Sequence, residues 1–324
     1  MAKAFVVVAR AATLLALLVV TIGAWVRLTD AGLGCPDWPG CYGRLVVAAD
    51  IAQDPTAAAL RDARPLDTGK AWREMIHRYL ASALGLLCVA LAVMGVRNRQ
   101  SPQQPWRIPL VLAGLVVFQG LLGMWTVTLL LKPAVVVAHL LGGFATLALL
   151  FWLARPRVPP LSAGGKLRAF GAAAFAVLAV QIALGGWTSA NYAAVACPDF
   201  PTCQTQWWPE IADFEEGFVL WRGIGVDYEG GVLDHPARVA VHFAHRLGAV
   251  ATLALVGLFG ASLARRADAR GAGAAVLATL AAQAGLGVGI VLFGVPLWMA
   301  VAHNGVAALL LLSLVNAHKR IWQS

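Results

Sequence analysis

The sequence predicts an all-α membrane protein in which eight transmembrane helices form two duplicated, parallel four-helix bundles. Three observations predict it: eight long apolar stretches, a one-sided distribution of basic residues, and a set of markers that recurs in the same order in both halves. Of the 324 residues, 60% are hydrophobic and 13% charged, about half the charge fraction of an ordinary soluble domain. Mean hydropathy is +0.73.

A spanning helix needs roughly 20 apolar residues. Stretches at about 8–27, 72–96, 108–129, 134–154, 168–189, 237–263, 271–293 and 297–318 supply them. In lipid the backbone has to satisfy its own polar groups, so these stretches are helices. The first reads as a retained span rather than a cleaved signal peptide, because its apolar run is long and the motif after it recurs. No Arg- and Ser-rich transit segment precedes it, which points to a bacterial protein.

The net charge of +9 invites a nucleic-acid reading, but its placement argues for topology. Lys3, Arg10, Arg97, Arg99, Arg107, Arg155, Arg157, Lys166, Arg168, Arg265, Arg266, Arg270, Lys319 and Arg320 all fall on one side of an eight-span chain. Of the 16 acids only Asp268 joins them. The positive-inside rule puts that side, with both termini, in the cytoplasm, and puts the long loops at about 28–71 and 190–236 outside.

The halves, 1–160 and 161–324, match marker by marker. Trp25 precedes Cys35-Pro36-Asp37-Trp38-Pro39-Gly40-Cys41 as Trp187 precedes Cys197-Pro198-Asp199-Phe200-Pro201-Thr202-Cys203. His77-Arg78 matches His245-Arg246, Gln119 and Gly123 match Gln283 and Gly287, and Ala138-His139 matches Ala302-His303. Each unit starts and ends on the same side, so the repeats are parallel about an axis along the membrane normal.

Cys35/Cys41 and Cys197/Cys203 lie in outward loops, where disulfides persist. A disulfide within each loop is the leading reading. A redox-active first pair and a metal site are the alternatives, although the spacing suits neither zinc knuckles nor thioredoxins. Cys88, mid-helix in an apolar run, reads as packing.

Of seven histidines, His235 and His318 sit where water reaches them. His77, His139, His245 and His303 recur on the four even-numbered spans, and an ionisable group inside the membrane is functional by default. They sit about five to eight residues into their helices, roughly 8–12 Å below the outer surface at 1.5 Å per residue. Two imidazoles on facing helices make a bis-histidine haem site, one in each half. Zinc would need further ligands. His242, one turn before His245, is the fallback ligand. Its first-half counterpart is Glu74, one turn before His77, and that mismatch marks the first site as the one with chemistry. Pairing of Glu74 with Arg73 or Arg78 is the competing reading. Arg78 and Arg246 either reach haem propionates or snorkel to the interface. Gln119 and Gln283 are expected to bond across helices.

Arg27-Leu28-Thr29-Asp30-Ala31-Gly32-Leu33-Gly34-Cys35-Pro36-Asp37-Trp38-Pro39 resembles the signature loop of the haem A synthases, and Glu74-x-x-His77-Arg78 resembles their second-helix motif. The resemblance covers nearly the whole chain, in the bacterial form with cysteines in both outer loops. It implies oxidation of the C8 methyl of haem O to a formyl group, giving haem A for terminal oxidases. His77 and His139 would hold the substrate haem, and His245 and His303 a permanent haem b that passes electrons. Glu74 matches the family's essential carboxylate, and Cys35 and Cys41 the pair sometimes given a redox role. The implied setting is the bacterial cytoplasmic membrane, among lipid, with a haem O synthase and an electron-transfer partner nearby. Monomer and homo-oligomer are both left open, as is the role of the 204–236 loop, with Trp207, Trp208, Trp221 and Glu229.

Two other readings compete. A dihaem cytochrome b would draw both haems' ligands from one pair of helices. A transporter would show helices broken at mid-membrane, whereas Pro133 and Pro296 read as helix starts.

Overall fold

The computed structural model describes residues 3–47, 49–155, 160–161 and 164–322. Arg157, counted above among the cytoplasmic cations, lies outside them. Among the described residues, eight helices are long and apolar enough to cross a membrane: α1 (Lys3–Leu28), α2 (Thr68–Arg97), α3 (Arg107–Thr128), α4 (Pro133–Ala154), α5 (Gly165–Ala190), α6 (His235–Ala264), α7 (Arg270–Leu292) and α8 (Leu297–Trp322). The chain is a multi-pass membrane protein of all-α class. All eight expected stretches are helical and unbroken. Pro133 opens α4 and Pro296 immediately precedes α8, so neither interrupts a span, and the broken helices of the transporter reading do not occur among the described spans.

Helices α2 and α6 start earlier than their apolar patterns. The Asp67 carboxylate accepts from Lys70 N–H and Asp234 from Ala237 N–H, and each N-cap satisfies a donor that a helix start otherwise leaves orphaned. Histidines on these helices therefore sit deeper from the helix start than the apolar pattern suggests.

Neighbour relations repeat between the halves. In the first, α1 packs on α2, α2 on α3, α3 on α4 and α4 on α1; in the second, α5 through α8 do the same. Thus α2 stands across the ring from α4, and α6 from α8. The halves meet through α1 with α8, α4 with α5, and α4 with α8. At the α4–α5 contact, a Cβ on Gly186 would lie 2.7 Å from Leu140 Cδ2, so a larger residue there would have to displace the Leu140 side chain at the seam. The main core runs through this seam, with Leu147, Leu150, Phe259, Leu310 and Leu314 buried.

The start of α1 and the end of α8 lie at the basic end of the bundle. Some of its cations do more than mark topology. Buried Lys319 donates from Nζ to the carbonyls of Trp152 (2.6 Å) and Arg155 (3.1 Å), and Arg10 donates to Ala154 (3.4 Å). They cap the C-terminal end of α4, where a helix leaves its last carbonyls free and its dipole favours positive charge.

At the other, loop-bearing end, Cys35–Cys41 and Cys197–Cys203 are disulfides; Cys88, well along α2 from that end, is a buried free thiol. A maleimide titration checks this against the five cysteines of the chain. The native protein should take up no label, the denatured unreduced protein one per chain, and the denatured reduced protein five.

Candidate active site

The four repeated histidines stand in two pairs across the two rings. His77 on α2 faces His139 on α4 across the first ring, and His245 on α6 faces His303 on α8 across the second. Every ring is backed by a glycine of the preceding helix. A Cβ on Gly23 would lie 3.0 Å from His77 Cε1, and one on Gly123 3.6 Å from His139 Cε1. The corresponding distances are 3.1 Å from Gly185 to His245 and 3.2 Å from Gly287 to His303. The imidazoles lean on bare backbone, and larger residues at Gly23 or Gly185 would push the rings inward. Gly123 and Gly287 stood out in the repeat, whereas Gly23 and Gly185 did not. Yet a signal existed: each stands two residues before a matched tryptophan, Trp25 or Trp187.

Nitrogen partners differ between the rings. Nδ1 of His77, His139 and His303 is buried with no hydrogen-bond partner. Leaving such a group unpaired costs about 1–3 kcal/mol unless something beyond the protein takes it. His245 is held differently: the Gln181 amide reaches its Nδ1 and its main-chain carbonyl, both at 3.1 Å, which leaves Nε2 for a ligand. That amide lies over Gly248, where a Cβ would come within 2.2 Å of Gln181 Oε1. Gln283 reaches Nε2 of His303 at 3.1 Å, and Gln119 packs over Gly142, one turn past His139. Among the described residues no group of three or more His, Cys, Asp or Glu side chains could hold a metal ion. Two facing imidazoles with an unpaired nitrogen therefore fit iron that brings its own planar ligand, which is haem, better than a bare ion.

Beside each pair, a clamp grips the disulfide loop. Glu74 Oε2 accepts from Cys35 N–H at 2.8 Å, and its Oε1 pairs with Arg78. Arg78 also donates to the carbonyls of Asp37 (3.0 Å), Pro39 (3.3 Å) and Gly40 (2.5 Å). In the second half His242 takes the place of Glu74. Its Nδ1 lies 3.3 Å from Cys197 N and its Nε2 3.3 Å from Arg246 Nε. Arg246 donates to the carbonyls of Cys197 (2.7 Å), Asp199 (2.9 Å) and Thr202 (2.7 Å). Both nitrogens of His242 are engaged, and it faces the loop rather than the His245–His303 pair. The competing reading of Glu74 is present as geometry, since it does pair with Arg78. The two arginines touch loop carbonyls, a role that neither propionate binding nor snorkelling describes. Asp37 and Asp199 finish each loop by accepting from the N–H groups of Tyr42 and Gly43 and of Gln204 and Thr205.

The chain matches the COX15-CtaA family, cytochrome oxidase assembly proteins, over residues 7–315. It belongs to that family. It is 42% identical to a heme A synthase of Shewanella oneidensis over 94% of this chain and 93% of the relative. Identity to the heme A synthase of Sphingopyxis alaskensis is 30%, covering 96% and 90% of the two chains. To that of Caulobacter vibrioides it is 31%, covering 90% and 88%.

Within this family fold, the second long loop takes a place that the sequence left unassigned. It crosses to the other half. Glu229 pairs with Arg64 and with Lys70 (3.1 Å), and Asp227 with Arg64 (2.9 Å). Lys132, buried at the α3–α4 turn, donates to Gly223 O and lies under the Trp221 ring. Tyr228 N–H donates to Leu130 O at 3.0 Å, and its ring packs with Leu33, Val127 and Leu131. Residues 221–229 thus strap the loop-bearing end of the first half.

The clamps predict unequal losses. Arg78→Ala strips the loop carbonyls and strands the buried Glu74 carboxylate, a loss of about 3–5 kcal/mol for a broken buried pair. Arg246→Ala also strips three loop carbonyls but leaves an imidazole where Arg78→Ala leaves a carboxylate, so thermal unfolding in detergent should drop further for Arg78→Ala. The strap predicts a pH response. Burial alone would push the Glu229 carboxyl up, but Arg64 and Lys70 hold it below its ordinary value of 4.5. A depressed pKa stabilises the fold above the ordinary value, and that stability is lost as pH falls through the native one. Amide exchange across 221–229, corrected for intrinsic rates, should therefore rise below about pH 4.5 and stay flat above it.

Proposed function

We propose that this chain is an oxidoreductase that converts haem O to haem A by oxidising the C8 methyl group to a formyl group through successive hydroxylations. One observation carries the reading: two facing imidazole pairs at one level of the bundle, with a carboxylate beside only one of them. The named relatives support it, being heme A synthases over nearly their whole lengths.

In this reading the half at 1–160 takes the substrate haem, which His77 and His139 would hold, and in the half at 161–324 His245 and His303 would hold a resident haem b. When bound, haem b supplies one-electron transfer. Gln181 supports that assignment, since a second partner on a ligand imidazole fixes its ring plane and tautomer. In the first half Val19 stands where Gln181 stands in the second, so the substrate ligand His77 lacks that partner.

Glu74 is the group that handles protons. Cys35 N–H and the Arg78 guanidinium grip its two oxygens, which fixes the carboxylate one turn before His77 on the same helix face. From there it takes a proton from the methyl group or from an attacking water. Arg78 and Arg246 contribute by positioning, through the loops they hold.

The basic end of the bundle faces the cytoplasm by the positive-inside rule, in a bacterial cytoplasmic membrane. The partners of this reading are an enzyme that supplies haem O, an electron-transfer protein and membrane lipid, with self-association into a homo-oligomer compatible with it.

Pigment extraction tests these assignments together. Wild-type protein should yield haem b plus haem O or haem A. His77→Ala should lose haem O and haem A, and His245→Ala should lose haem b. Glu74→Gln, which keeps an acceptor for Cys35 N–H, should retain both pigments and slow haem A formation by about 100-fold or more, the usual weight of a general base. Haem A formation at the wild-type rate in Glu74→Gln would rule out its catalytic role. Recovery of haem b alone from both sites would favour the dihaem cytochrome.

A further inference from the structure

Each disulfide hairpin ends on an exposed apolar pair. Cys41 bridges to Arg44 and Cys203 to Gln206 as isolated antiparallel pairs, and the next two residues are Leu45–Val46 in one hairpin and Trp207–Trp208 in the other. These are matching positions of the repeat. Leu45 and Val46 are 71% and 56% exposed, Trp207 and Trp208 76% and 60%. A single exposed apolar residue is ordinary. The same adjacent pair at the same place in two copies, on loops closed by disulfides, is a repeated surface.

Its depth decides what faces it. The hairpins do not stand above the helix ends but lie against the flanks of α2 and α6. Arg78, which holds the first hairpin's carbonyls, is almost three turns along α2 from Thr68. The next residue, Tyr79, donates its hydroxyl to Leu45 O at 2.5 Å. Arg246 holds the second hairpin about three turns along α6 from His235. Trp208 packs edge-on against Phe243, with ring centroids 5.1 Å apart, one turn before Arg246. Since His77 and His245 immediately precede the two arginines, both apolar pairs lie close to the level of the histidine layer. Around them the helix flanks are themselves exposed and apolar, with Ile76 and Tyr79 on α2 and Leu247 and Val250 on α6. Apolar surface that adjoins the exposed apolar face of a membrane-spanning helix is covered by lipid.

We propose that Leu45–Val46 and Trp207–Trp208 are two interfacial feet that insert into the boundary between headgroups and acyl chains on the loop-bearing side of the membrane. Their partner is the lipid. Aliphatic side chains and tryptophan bury favourably there, and tryptophan is enriched at that boundary. The feet hold the disulfide hairpins at a fixed depth, and through Arg78 and Arg246 they set the level of the histidine layer. The inference rests on the membrane fold and is independent of the chemistry proposed for the histidines.

Fluorescence in lipid nanodiscs tests it. Wild-type protein and a Trp207→Phe/Trp208→Phe variant are compared in lipid that is unbrominated, brominated near the headgroup, or brominated near the chain end. The difference in emission reports the two tryptophans alone, and phenylalanine keeps the surface apolar. Leu45→Trp, which only adds a fluorophore, reads the first foot. The expected result is loss of this emission in brominated lipid, stronger for shallow bromine than for deep, with little quenching by aqueous acrylamide. Emission insensitive to brominated lipid, or freely quenched by acrylamide, would overturn the proposal and leave these residues facing water or a soluble protein.

Discussion

An irregular loop packed on the flank of a membrane helix has carbonyl groups that water cannot easily reach, and the rest of this architecture follows from how they are satisfied. Backbone polar groups at that depth have to find partners inside the protein. Here one guanidinium per half does the work. Arg78 and Arg246 each take three carbonyls of a disulfide hairpin, and each directly follows a histidine of the paired layer. Loop depth and histidine depth are thereby set by adjacent residues of one helix. Glu74 and His242, one turn earlier, receive the first cysteine's N–H and complete the grip.

The same construction explains how a symmetric scaffold holds two unlike sites. The helix contacts, the glycines behind the imidazoles and the clamps on the hairpins recur in both halves. Unlike residues enter at a few places within this common frame. A carboxylate stands in one clamp and an imidazole in the other, and Gln181 braces His245 where Val19 leaves His77 unbraced. Neither exchange disturbs the packing of the bundle, so the halves could diverge in chemistry while keeping one architecture.

The spans and the repeat were legible in the sequence for a physical reason: lipid demands long apolar runs, and a duplicated unit repeats its markers in order. Histidine in such runs is costly enough to stand out, which is why the layer could be read. Arg78 and Arg246 were harder, because a long flexible side chain has several plausible targets and only the folded hairpin selects one. His242 lies on the helix face expected of it, yet the hairpin takes its Nδ1 and Arg246 its Nε2. Gly23 and Gly185 carry no chemistry of their own and become visible only once an imidazole is seen against them. Gln181 escaped because the first half has no glutamine to match it. The crossing of residues 221–229 was invisible because Arg64 and Glu229 are far apart in sequence and share no local period.

That crossing also bears on how the molecule is made. Membrane insertion proceeds from the N-terminus, and domains fold in that order during synthesis. The first four helices can enter the bilayer and pack before the second loop has been translated. The segment that covers their loop-bearing end arrives only after α5 has been threaded through the membrane. During biogenesis, then, the first half spends an interval uncovered on that side, and its closure is timed by the insertion of the second.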